Sequence, residues 1–165
     1  MQPKTTVWEL EPHTAAKHEI LRRYVQAWAP ILSQGNFPHL VFIDGFAGPG
    51  RYSKGEEGSP IIAIKAVIEQ SYRIKAKVDF HFIELDKDRA YHLAAEVRAL
   101  QLPPNITTMI HGERSFQEVF PQIWNRYAPK AVGHDRRRSS SLILLVLRFH
   151  SRMLLKSCAL KAVKC

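Results

Sequence analysis

Residues 39 to 50 read His39-Leu40-Val41-Phe42-Ile43-Asp44-Gly45-Phe46-Ala47-Gly48-Pro49-Gly50, and the fold turns on how this stretch is read. Apolar and aromatic positions run without alternation into an acidic residue and then into glycines. That is the pattern of a buried parallel strand ending in a ligand-cradling turn. Gly45, Gly48 and Gly50 permit positive φ and let the backbone pass close to a ligand where a Cβ would collide. Pro49 stiffens the bend. Asp44 falls at the carboxyl end of the strand, where open α/β sheets take their ligands, and its charge suits a cationic or hydroxyl-rich group better than a phosphate.

Three nucleotide-binding readings compete for the turn. A phosphate-cradling loop needs a Gly-Lys-Ser/Thr ending, and none follows. A dinucleotide fingerprint read from Gly48 has Ser53 in the place of its third glycine. The remaining string, Asp-x-Phe-Ala-Gly-x-Gly, resembles the first motif of S-adenosylmethionine-dependent methyltransferases, in which the turn lies under the methionine part of the cofactor. A plain glycine-rich turn after a core strand has the same local pattern.

Upstream, Val7 to His13 form an irregular lead-in. Thr14 is positioned to cap a helix through Leu32, on which Ile20, Leu21, Tyr24, Val25, Trp28, Ile31 and Leu32 recur at helical spacing before Gly35 ends it. Spacing alone puts Trp8 and Trp28 against the sheet and His13, Lys17 and His18 on an exposed polar face. Downstream, residues 51 to 59 form a loop longer than the turn needs, which makes Arg51, Tyr52 and Lys54 candidate contacts. Ser59-Pro60 then opens a helix to about Gln70.

A second strand, Val78 to Ile83, runs into Glu84-Leu85-Asp86. Glu84 is placed to accept hydrogen bonds from both ribose hydroxyls of a nucleoside cofactor, and Asp86 or Asp88 to cap the next helix, about 88 to 100. The third strand is Ile106 to Ile110. The turn after it brings His111 and Glu113 towards an adenine ring, although a solvated turn fits equally. A helix over about 115 to 127, with Phe116, Val119, Phe120, Ile123 and Trp124 on one face, leads to an expected fourth strand.

At 165 residues the chain suffices for one core. No apolar run approaches the ~20 residues of a membrane span, and the N-terminus lacks the apolar segment of a secretory signal, so no membrane association and a cytoplasmic location are expected. Cys158 and Cys165 are too few for a disulfide framework or a metal site. The net charge of +9 is uneven: residues 1 to 131 hold 16 Lys/Arg against 14 Asp/Glu, and residues 132 to 165 hold 8 against 1. The basicity belongs to the tail, where a charge run reads first as a solvated segment and second as a nucleic-acid contact.

The ordered string Trp8-Glu9-Leu10-Glu11-Pro12-His13-Thr14, Lys17-His18, Tyr24, Trp28, Ile43 to Tyr52, Gly58-Ser59-Pro60 and Phe82 to Asp86 resembles the bacterial three-Cys-motif partner proteins over about residues 7 to 130. The resemblance implies a class I methyltransferase-like Rossmann domain, with Asp44, Gly45, Ala47, Gly48 and Gly50 at the methionine end of S-adenosylmethionine and Glu84 at its ribose. It implies a cysteine-rich partner similar to radical S-adenosylmethionine enzymes. It also moves Trp8, His13, Lys17 and His18 from plain surface towards the site, without assigning them roles.

The resemblance stops near Ala131. Family members continue with a fourth strand ending in Asp-Pro-Phe-Gly-Phe, whereas this chain has Arg136-Arg137-Arg138 and then Ser139 to Leu147. With suitable synonymous codons, Arg138 to Leu147 read one base out of frame gives Phe-Leu-Phe-Ile-Asp-Pro-Phe-Gly-Phe. The expectation is therefore 1 to 131 as the N-terminal part of the domain and 132 to 165 as a basic tail in a shifted frame. The fold class is α/β, an incomplete Rossmann-like parallel sheet flanked by helices. Three strands leave one edge of the first strand open, and Leu142 to Leu147 is apolar enough to fill it or to continue as a helix. A truncated methyltransferase-like protein without catalysis is the leading expectation. The alternatives are a nucleic-acid-binding module using the tail and a non-catalytic subunit docking a partner through the first helix.

Overall fold

The computed structural model describes residues 6–35, 37–127 and 141–146. Helix α1 (Pro12–Gln34) leads into strand β1 (His39–Asp44), which is followed by α2 (Ser59–Glu69) and a short 3-10 turn (Ser71–Arg73). Then come β2 (Lys77–Glu84), α3 (Lys87–Arg98), β3 (Ile106–Gly112), α4 (Phe116–Tyr127) and β4 (Ser141–Val146). The strands form one parallel sheet in the order β3-β2-β1-β4.

The open edge of β1 is filled. Ser141–Val146 pairs with it in parallel, from His39 beside Ser141 to Asp44 beside Val146. Of the two fates considered for this stretch, strand prevails over helix. An unbroken apolar run suits a parallel strand, and pairing satisfies β1 backbone groups that would otherwise be buried without partners. The rest of the basic tail, with Cys158 and Cys165, lies outside the described residues.

Strand alternation sorts the core into two layers. On one face Leu40 and Phe42 of β1 and Val78, Phe80 and Phe82 of β2 pack against Val25 and Trp28 of α1, Ile61 and Ile64 of α2, and Leu93 and Val97 of α3. On the other, Val41, Ile43 and Ile83 meet Val119, Ile123 and Tyr127 of α4. Among the described residues, helices thus cover both faces, three on one and one on the other. No helix among the described residues is long and apolar enough to cross a membrane.

Helix starts differ from expectation in instructive ways. Helix α1 begins at Pro12, with Glu11 rather than Thr14 before it, and the Thr14 N–H already donates to the Glu11 carbonyl at 2.9 Å. A proline in the first turn forfeits only an N–H that has no helical partner there. Ser59 does not cap α2: Gly58 precedes the helix, and the Ser59 hydroxyl donates to Asp44 at 2.7 Å. Asp86 does cap α3, accepting the Arg89 N–H at 3.0 Å. Ser115 and Glu118 form a reciprocal capping box ahead of α4.

The densest part of the first layer is an aromatic trio, with Phe80 5.3 Å from Phe42 and 5.8 Å from Phe82 between ring centroids. All three rings are fully buried. Phe80→Ala is expected to cost about 3–5 kcal/mol through lost transfer energy and the cavity left behind. Tyr72→Ala, at an 81 % exposed position, is expected to stay within about 0.5 kcal/mol. Urea midpoints of the two variants check the contrast.

Candidate functional site

The carboxyl edge of the sheet is built around two buried carboxylates. Glu84, ending β2, accepts the Gly48 N–H at 2.7 Å through Oε2 and the Asp86 N–H at 3.0 Å through Oε1. Beside it the Ala47 N–H donates to the Ile83 carbonyl at 3.0 Å. These bonds draw the glycine turn across the top of β2, with Gly48 at φ 69°, a conformation that glycine adopts without strain. Asp44 accepts the Phe46 N–H at 3.1 Å besides the Ser59 hydroxyl. Asp44, Gly45, Ala47, Gly48, Gly50 and Glu84 are therefore gathered in one buried cluster.

Gly50 has a packing reason of its own. A Cβ there would lie 2.8 Å from Leu93 Cδ1, and its φ is +82°. The missing side chain at Gly58, whose Cβ would lie 3.1 Å from the Gly50 carbonyl, lets the two ends of the long loop meet, the Gly58 N–H donating to the Gly50 carbonyl at 2.8 Å. The loop folds back on itself through an Arg51–Glu57 bridge. The Arg51 guanidinium spans Glu96 of α3 at 2.8 Å and the Gly55 carbonyl at 2.7 Å, so its fork is engaged in holding the loop.

The lead-in docks on this loop. Trp8 meets buried Tyr52 edge to face at 5.7 Å, His18 lies 5.8 Å from Tyr52, and the Ser53 N–H donates to the Trp8 carbonyl at 3.0 Å. Lys54 pairs with Glu9. The buried Arg89 guanidinium sits 4.8 Å over the Trp8 ring, a cation–π contact. Trp8, His18 and Tyr52 thus come together, while Lys17 stands exposed on α1 and the His13 side chain lies outside the described positions. Sequence reasoning missed Arg89 and also His92, whose Nδ1–H donates to the Pro49 carbonyl at 2.8 Å. Neither carries a local signal beyond its place on α3.

His111 and Glu113 part ways. Glu113 is exposed with φ 59°. His111 belongs to β3, one residue beyond the expected strand, and its ring stacks on that of His81 with Nε2 3.0 Å from His81 Nδ1. His81 Nε2 lies 3.1 Å from the Tyr127 hydroxyl, which donates to Asp79 at 2.6 Å, and His39 Nε2 lies 2.8 Å from the same Asp79 oxygen. Burial, and then neighbouring His111, push the His81 imidazole down to about 4. Burial followed by the charge of Arg114 lowers His111. For Asp79 burial works upward, but hydrogen bonds from His39 and Tyr127 outweigh it and hold the carboxyl below its usual range. Burial, reinforced by Asp79, raises the Tyr127 hydroxyl.

Two grooves among the described residues lie elsewhere. One of about 260 Å³ is bounded by Leu10, His18, Arg22 and Glu57. A wider one of about 470 Å³, with Ser33, Tyr72 and Lys75, is at the amino edge of the sheet. No residue of 44–50 lines either. Set against known protein families, curated proteins and solved structures, the chain matches none.

Gly50→Ala combines positive φ with a collision against Leu93, whereas Gly55→Ala at φ +89° meets nothing within 4 Å. The first is expected to cost about 2–3 kcal/mol and the second about 1. Denaturant titration of both separates the steric from the conformational part.

Proposed function

We propose that the turn of residues 44–50 binds S-adenosylmethionine, and that the chain is the N-terminal part of a class I methyltransferase-like Rossmann domain of the three-Cys-motif partner type. The observation that carries this reading is electrostatic: the turn is flanked by the buried carboxylates of Asp44 and Glu84. A pyrophosphate brought to this turn meets two like charges in a poorly solvated place, whereas an ammonium and a sulfonium gain from them. The strand order β3-β2-β1-β4 also supports it, since doubly wound sheets take ligands where the order reverses, here beside β1.

The donor set fits the cofactor. Each Glu84 oxygen accepts one backbone N–H and keeps a second lone pair for a ribose hydroxyl. The cofactor supplies an electrophilic methyl group. The chain's own part is to bind and orient it for in-line transfer, positioning being most of the catalysis. Strand β4 ends at Val146 without Asp-Pro-Phe-Gly-Phe, so binding is expected to be weak and methyl transfer absent.

Isothermal titration of the 165-residue chain with S-adenosylmethionine is expected to give saturable binding, weakened at least tenfold in both Asp44→Asn and Glu84→Gln. Binding of NAD in preference to S-adenosylmethionine overturns the assignment, and measurable methyl transfer overturns the expected inactivity. One observation favours the reading as a docking subunit for a cysteine-rich protein: Ile20, Tyr24 and Ile31 stand exposed on α1. Co-purification with such a partner, lost in the double variant Ile20→Asp/Ile31→Asp, is its test.

A further inference from the structure

Helix α4 is held differently from the other three. Its apolar seat is confined to Val119, Ile123 and Tyr127 on Val41, Ile43 and Ile83, with a half-buried stripe of Phe116, Phe120 and Trp124 beside it. Pro121 removes one of its internal hydrogen bonds. Its last residue, Tyr127, is tied through the hydroxyl to a chain of side chains that crosses the sheet beneath it.

The hydrogens in that chain follow from its acceptors. Tyr127 gives its only proton to Asp79, so its oxygen accepts from His81 Nε2–H. That fixes the neutral His81 tautomer and leaves Nδ1 as an acceptor, so His111 Nε2–H must be the donor. His39 Nε2–H completes the chain by donating to Asp79. All four bonds point towards the one carboxylate. A proton added to His81 at Nδ1 is accepted by His111 Nε2 only if that ring changes to its other neutral tautomer. A proton added to His111 at Nδ1 keeps all four bonds, so acid acts through charge: the cation lies against the stacked, buried His81 ring, with Arg114 and Arg126 nearby.

The charged and titratable surroundings sharpen the effect. Facing His81 are His39 from β1, Asp79 on its own strand, His111 from β3, and Arg126 and Tyr127 from α4; Arg114, after β3, faces His111. Asp79 is the only carboxylate in that set, and it is already shared by Tyr127 and His39. Among the described residues no group of three His, Cys, Asp or Glu is arranged to hold a metal, so the histidine pair has no third ligand.

We propose that the His81–His111 pair is an acid-sensitive latch on α4: a positive charge added to the stacked pair, poorly solvated and beside Arg114 and Arg126, is relieved when the helix leaves its face of the sheet, while the opposite layer stays packed. The direction is set by the neutral pair. With His81 at about 4 in the folded chain, against 6.5 ordinarily, the seated state binds fewer protons than the released one. Its advantage is complete above about pH 6.5 and is lost progressively as pH falls towards 4.

The test is amide hydrogen exchange of the full chain between pH 7.5 and 5, expressed as protection relative to the intrinsic rate at each pH. Protection in residues 119–127 is expected to fall at least tenfold on acidification, with protection in β1, β2 and α2 unchanged. In His81→Phe, which removes the more buried of the two rings, the fall in α4 protection is expected to shrink to less than threefold. Should that variant not fold, Tyr127→Phe serves: it keeps both histidines but cuts the link, so α4 is expected to be under-protected already at pH 7.5 and to change less than threefold. Parallel loss of protection in both layers, a flat wild-type profile, or a pH response in His81→Phe equal to the wild type overturns the proposal. So does a Tyr127→Phe profile identical to the wild type.

Discussion

The hydrogen bond from the Gly48 N–H to the Glu84 carboxylate is the constraint on which the carboxyl edge depends. A buried carboxylate is costly unless its lone pairs are met, and here backbone N–H groups meet them from two sides. One bond brings the glycine turn over β2. The other sets the strand-to-helix corner at Asp86, from which α3 starts with its own cap. Leu93 of α3 then lies where a side chain at residue 50 would be, so the turn, the strand end and the helix support one another. Removing the charge at Glu84 therefore touches packing as well as any ligand.

The loop and the lead-in extend this logic outward. Arg51, Tyr52 and Trp8 read from the chain as possible ligand contacts, and each has structural partners: Glu96 and Gly55 for Arg51, Trp8 and His18 around Tyr52, Arg89 over Trp8. These contacts bind residues 51–58 to both the first helix and the third. A ligand at the turn would meet a rim already organised by aromatic and guanidinium groups.

The two faces of the sheet divide the work. The face under α1, α2 and α3 is apolar, with stacked phenylalanines and three helices sharing the load. The face under α4 carries a polar chain from His39 to His111, and among the described residues one helix covers it. Stability concentrated on one side leaves the other free to respond to its environment. That side ends at His111 on the same edge as the glycine turn, since β3 and β2 close together at Gly112 and Glu84.

Much of this was legible in the chain itself. The apolar run into Asp44, the glycines behind it and the acidic end of β2 are local patterns, and each lay where its strand placed it. Asp86 as a cap was equally readable, because capping joins residues only a few positions apart. Ser59 was not: its hydroxyl turned to Asp44, 15 positions earlier, instead of to its own helix. The Tyr127 link to His81 spans 46 positions, and Arg89 over Trp8 and His92 on Pro49 likewise join distant segments. The first three strands, the turn and its paired carboxylates could be read from the chain, because short-range periodicity and backbone chemistry specify them. It took the packed fold to bring β4 to the edge of β1, Glu84 onto the turn, and five scattered polar side chains into one partly buried chain. Those outcomes depend on which faces meet in space, and no local pattern encodes that.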